Sequence, residues 1–319
     1  MRGCHTFLLF TAIVLFCDLE KINSQEFTYN GRMGPDHWGD TYNTCSGKHQ
    51  SPININIVDV VNSTFWPLEF HDFDVIPASA ELVNNGHTVV VKLLYHNMPP
   101  TISGGPLRNQ GLFQFSQFHF HWGENNTVGS EDRINNVSFP AELHMVFYNV
   151  KYETFNEAVV NDDGVVVLAF FYALQENDNP NYAEFTELLN EVRTPDTHVP
   201  FRHPPKMQQL ITDDVENYYT YLGSLTTPPC SEDVTWIDFA TPIMISTKQI
   251  ERFRSLHTHQ GKPLTHNFRP IQPLNNRLVY RAIPPLPRLT VESDKSNSAA
   301  SMAIFFHIFI LSILVLISQ

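Results

Sequence analysis

Basic residues are scarce in this 319-residue chain: 20 Lys and Arg stand against 33 Asp and Glu, a formal net charge of −13 with histidine neutral. So acidic a chain has no electrostatic footprint for a phosphate backbone, which excludes nucleic acid as a partner. Internal repeats, low-complexity linkers and charge blocks are missing from residues 25–287, so that stretch reads as one domain. Long acidic or Gly-Asn repeats, which a mineral-associated matrix protein would carry, are missing too. With 42% hydrophobic residues the chain has ample material for a core, and global disorder is excluded.

Neither apolar run has the frame of an ordinary spanning helix. Phe7–Phe16 follows Arg2 and is too short to cross a bilayer, so residues 1–24 read as a secretory leader cleaved near Ser24. Met302–Ile317 has no basic residue after it, whereas a stop-transfer helix normally carries a cytoplasmic Lys or Arg flank. Residues 302–319 therefore read as a removed signal for a glycosylphosphatidylinositol (GPI) anchor. Attachment is expected near Asn297 or Ser298 in the 288–301 spacer, with a retained transmembrane helix as the alternative. The membrane would then be met only through a C-terminal lipid.

Cysteine is sparse as well. Of four, Cys4 and Cys17 leave with the leader, so Cys45 and Cys230 are expected to pair in a secreted context, two buried free thiols being the alternative. Sequons at Asn62, Asn125 and Asn136 fit the same extracellular address as glycosylation sites.

What the chain does have is strand-like sequence. Residues 87–95, 112–122, 141–149 and 164–174 are rich in β-branched and aromatic residues and are separated by Gly, Asn, Asp or Pro clusters. Helical patterns are few and short, at 179–192 and, behind a Ser cap, at 246–256. A mainly β domain with peripheral short helices follows.

Within the second run, "QFHFHW" at 117–122 puts His119 and His121 on one face of a strand and Phe118, Phe120 and Trp122 on the other. A lone His-x-His also suits the wet side of a half-buried strand, so a third ligand has to decide. The run "AELHMVFYN" supplies His144, with Glu142 two residues earlier on the same face. Three neutral imidazoles on neighbouring strands leave a fourth tetrahedral position open, the pattern of a catalytic rather than a structural zinc site.

The surrounding motifs are "QFHFHWG", "GSE" at 129–131, "AELH" at 141–144, "NNGH" at 84–87, "GSLTTPPC" at 223–230 and "RPIQPLNNR" at 269–277. Together and in order they resemble the alpha-class carbonic anhydrases over about residues 27–284. The resemblance implies an α+β domain: a central, twisted, mostly antiparallel ten-stranded sheet with zinc at the floor of a conical cleft. It implies reversible hydration of carbon dioxide to bicarbonate and a proton by zinc-bound hydroxide.

The resemblance also assigns roles. His119, His121 and His144 match the zinc ligands, with Gln117, Glu142 and the backbone carbonyl of Asn267 as the groups that orient them. Thr226 matches the hydroxyl that accepts from the nucleophile and donates to Glu131. Val146, Val167, Leu225, Val234 and Trp236 match the apolar wall for carbon dioxide, with Thr227 beside it. His87 matches the proton shuttle, and Tyr29 and Asn85 match residues that order cleft water.

Three departures stand out: Asp132 where the family carries His, which could loosen the hold on Glu131; Val90 where a polar Asn is common, which should slow proton transfer; and Phe147 where His is common. The second His-x-His, His257 and His259, reads as the exposed tail of a helix, because i and i+2 do not share a helical face. The rival function is an adhesion or binding module of the same fold, but such domains lack at least one zinc histidine.

Overall fold

A computed structural model describes residues 27–283; the expected leader, spacer and tail lie outside them. Ten strands form the main path of the large sheet. From one edge they run Thr197–Pro200, Ser79–Asn84, Val89–Leu94, Phe113–Trp122, Ala141–Asn149, Val165–Gln175, Glu232–Ser246, Tyr218–Ser224, Tyr280–Ile283 and Val61–Thr64. Leu68–His71 and Thr101–Gly104 branch from it, making twelve. Two neighbouring pairs on the path are parallel, Val165–Gln175 with Glu232–Ser246 and Tyr280–Ile283 with Val61–Thr64. The sheet is thus mixed and mainly antiparallel, with two branch strands beyond the ten expected.

The strands expected at 141–149 and 164–174 appear at Ala141–Asn149 and Val165–Gln175 and lie at the centre of the sheet. Both are buried along most of their length, because apolar material covers both faces, and they therefore read as continuous rather than alternating hydrophobic runs. One cluster holds Phe118, Phe120, Trp122, Phe147 and Phe170. The other holds Val146, Val167, Ala169, Val234 and Trp236. Phe147 belongs to the first: it stacks on Phe73 at 6.1 Å and meets Phe115 edge-on at 5.7 Å. A histidine there would carry polar nitrogens into an aromatic cluster, which accounts for that departure.

A register shift between Phe115 and Gln117 then aligns Gln117 with Val146, His119 with His144 and His121 with Glu142. Bulges of this kind commonly re-aim side chains beside functional sites. The short helices are peripheral. Ser246 caps Thr247–Phe253 reciprocally with Gln249, and the helix stops at Phe253, three residues short of the expected end. The 179–192 pattern becomes a 3₁₀ turn, Pro180–Tyr182, and the helix Ala183–Leu188.

Cys45 and Cys230 are bridged across 185 residues. Closing so long a loop restricts the unfolded chain. Replacing both (Cys45→Ala with Cys230→Ala) should cost about 2–5 kcal/mol. Calorimetry should then show Tm lowered by roughly 5–15 °C; an unchanged Tm would mean the bridge contributes nothing.

Candidate metal centre

His119 and His121 come from Phe113–Trp122, and His144 lies opposite His119 on Ala141–Asn149. Their ligand nitrogens all fall within 4.8 Å of one another. Each ring commits its other nitrogen to an acceptor. His119 Nδ1 donates to Gln117 Oε1 at 3.1 Å, His121 Nδ1 to the Asn267 carbonyl at 2.7 Å, and His144 Nε2 to Glu142 Oε1 at 2.8 Å. Those bonds fix the tautomers and leave His119 Nε2, His121 Nε2 and His144 Nδ1 as lone pairs.

Burial pushes all three imidazoles down in pKa, His144 to about 3. They are held in the neutral form that a metal requires. His121 and His144 are buried and His119 is half-buried, so the centre is reachable from the His119 side.

Glu131 supplies the decisive test of fit. Its Oε2 has no hydrogen-bond partner and lies 3.3 Å from His121 Nε2, which has none either; both atoms are fully buried. The buried His121 Nε2 lone pair, left without a donor among its neighbours, is what a bound cation would satisfy. The donor set, three neutral imidazoles on rigid strands with an open side, suits zinc.

Glu131 is itself well anchored. Its Oε1 accepts the Arg269 N–H at 2.7 Å, and its backbone N–H donates to Glu142 Oε2 at 2.7 Å. Burial raises the Glu131 carboxyl well above the usual range, while the Arg269 N–H and the nearby Thr226 hydroxyl pull it back. Burial likewise raises Glu142 to about 8, opposed by the N–H groups of Glu131 and Asp132.

A family model for the eukaryotic-type carbonic anhydrases matches residues 33–283. Carbonic anhydrase 7 from Mus musculus and from Homo sapiens are each 41% identical over 258 residues, covering 79% of this chain and 95% of the relative. Carbonic anhydrase 3 from Homo sapiens is 32% identical over 264 residues, covering 80% of this chain and 98% of the relative. The chain belongs to the eukaryotic-type carbonic anhydrases. The family is zinc dependent, and the three-histidine group fits that metal.

In this carbonic anhydrase Val146, Val167, Val234 and Trp236 are buried in one apolar cluster, with Leu225 packed against it and Trp236 edge-on to His144 at 4.8 Å. Thr226 is buried and Thr227 half-buried. Asp132 does not draw Glu131 away. Its carboxyl accepts the Ile53 N–H at 2.6 Å and the Tyr221 hydroxyl at 3.1 Å, and its own N–H donates to Glu142. Val90 is half-buried and sits across from His119 in register.

Tyr29 is buried with its hydroxyl unpartnered. Asn85 is exposed, and its side-chain oxygen is taken up by the turn, accepting the His87 and Thr88 N–H groups. The sequons Asn62, Asn125 and Asn136 are exposed.

His259 is exposed, as the tail reading of His257 and His259 expects, but the segment is a turn and not a helix. The chain turns back after the helix: His257 bridges to Pro263, and Thr258 N–H donates to the Lys262 carbonyl at 2.8 Å. That turn brings His259 to 5.9 Å from His87, ring centre to ring centre.

Two more contributors escaped the sequence. The Arg269 guanidinium bonds Gln50, Ser51 and the Cys45 carbonyl while its N–H holds Glu131. The Asn267 side chain bonds the Trp122 N–H and the carbonyls of Phe120 and His87. Both lie in or beside "RPIQPLNNR", whose motif signals importance without saying which atom acts.

Proposed function

We propose that this zinc carbonic anhydrase hydrates carbon dioxide at the outer cell surface, held there by a C-terminal lipid, with Thr226, Glu131 and His87 carrying the proton handling. The observation that carries the catalytic reading is the convergence of three imidazole lone pairs beside the Glu131 carboxyl. Zinc bound there supplies the Lewis acidity that makes water nucleophilic near pH 7, carbonic anhydrase itself being the type case of that value.

Glu131, held by Arg269, accepts the Thr226 proton, so the Thr226 oxygen is left to accept from the nucleophile and to aim its lone pair. Val146, Val167, Leu225, Val234 and Trp236 form the apolar wall that a substrate with almost no hydrogen-bonding capacity needs. His87, on the turn after Ser79–Asn84, takes the proton left by hydration and returns it in the reverse direction. An adhesion module would have lost a ligand, and all three are in place. Stopped-flow hydration by purified protein, with and without a zinc chelator, tests this; activity indifferent to chelation overturns it.

The surface address rests on the leader, the sequons and the tail of the sequence. Among the described residues no helix is long and apolar enough to cross a membrane. Phosphatidylinositol-specific phospholipase C should release the protein from intact cells. Retention with Met302–Ile317 still attached would favour a spanning helix instead.

A further inference from the structure

His87 is an awkward terminus for a proton path. Its ring is half-buried and stacks on Phe27 at 4.0 Å with the planes 12° apart. Burial, and then repulsion from His259, lowers its pKa to about 4, so a proton placed there is held weakly and must move on. His259 lies next in line. Its Nε2 is 3.2 Å from Asp196 Oδ2, and its side chain is 35% exposed while that of Asp196 is 79% exposed. The three groups therefore step outward from half-buried to open solvent.

The backbone is arranged to make this approach. Gly86, at φ +81°, packs under the His259 ring, and a Cβ there would lie 2.1 Å from His259 Nδ1. Asn84, fully buried, ties the three segments together. Its side-chain NH₂ donates to the Val192, Arg193 and His257 carbonyls, its carbonyl accepts the Asp196 N–H, and its Oδ1 accepts the Gly86 N–H. The turn of His87, the segment of Asp196 and the loop of His259 are thus positioned from one residue. A cavity of about 260 Å³, lined by both histidines together with Phe27, Tyr29 and the charged or titratable Arg32, Lys262 and His266, gives room for a bridging water.

We propose that His259, backed by Asp196, receives the proton from His87 and delivers it to solvent, making a two-histidine relay in series. The inference rests on His87 being the shuttle. Protonated His87 gives a ring N–H proton through water to neutral His259 and returns to neutral. Asp196 Oδ2, 3.2 Å from His259 Nε2, orients that ring while it passes its proton to water or buffer. Repulsion between the rings keeps the relay to one proton at a time.

The test is stopped-flow hydration by the zinc-loaded enzyme at low buffer. His259→Gln keeps a hydrogen-bond partner for Asp196 but cannot carry a proton at neutral pH. Both His259→Gln and His259→Ala should lower kcat about 3–10-fold, leave kcat/KM unchanged and be rescued by imidazole buffer. The double variant His87→Ala with His259→Ala should be no slower than His87→Ala alone, as stations in series require. By nuclear magnetic resonance, the His87 pKa should rise in His259→Ala.

The relay is overturned, with the shuttle reading intact, if His87→Ala lowers kcat while neither His259 variant does, or if the double variant is additively slower. A loss in His259→Ala that His259→Gln restores would mean a structural role and overturn it as well. If His87→Ala leaves kcat unchanged, both the relay and the shuttle reading fall.

Discussion

His144→Ala should cost the protein its zinc and its hydration activity together. His144 is one of three lone pairs converging on the centre, and its ring is fixed through Nε2 by Glu142. Removing an orienting partner alone typically costs about 10–100-fold in metal affinity. Removing the ligand itself should exceed that, so metal analysis should find well under one zinc per chain, and hydration should fall by about 1,000-fold or more. Glu142→Gln belongs on the milder scale, since an amide oxygen still accepts from His144. Unchanged zinc in His144→Ala would mean the metal sits elsewhere.

Thr226→Ala should act on the other half of the chemistry. The hydroxyl is buried beside Glu131, and on the proposed mechanism deleting it removes the group that aims the nucleophile without touching a ligand. Loss of one preorganised polar group at a reacting centre typically costs about 100–1,000-fold. The fall should appear in kcat/KM with zinc content unchanged, and Thr226→Ser, which restores the hydroxyl, should recover most of it. Imidazole should not rescue the Ala variant, which separates orientation of the nucleophile from proton export. A kcat/KM within about threefold of the parent would remove Thr226 from the mechanism.

The parts of this site legible in the sequence are those encoded by period and spacing. Alternation on one strand set His119 and His121 on one face, and two-residue spacing put Glu142 and His144 together on the next. The runs at 112–122, 141–149 and 164–174 became strands within a residue of their expected ends, because β-branched and aromatic residues suit a buried pleat.

What strand periodicity could not carry was turn geometry. His257 and His259 carry the signature of a helix tail, yet Gly261, at φ +69°, lets the chain reverse and brings His259 to 5.9 Å from His87. Nor does periodicity reveal bonds across 138 residues, such as the Arg269 N–H on Glu131. The extra acid, Asp132, keeps partners of its own, Ile53 and Tyr221, so it leaves the hydrogen bonds of Glu131 in place and acts on that carboxyl only through its charge.

Asn267 gives the site a property that neither half of the reaction has by itself. Its carbonyl orients the ligand His121, and its side-chain amide grips the Phe120 and His87 carbonyls and the Trp122 N–H. The strand bearing the ligand His121 and the turn bearing His87 are thereby clamped in one vice. Whoever wishes to graft a different turn around His87 onto this scaffold must leave that jaw untouched, since a graft that shifts the residue 87 carbonyl also tugs at the group that orients His121.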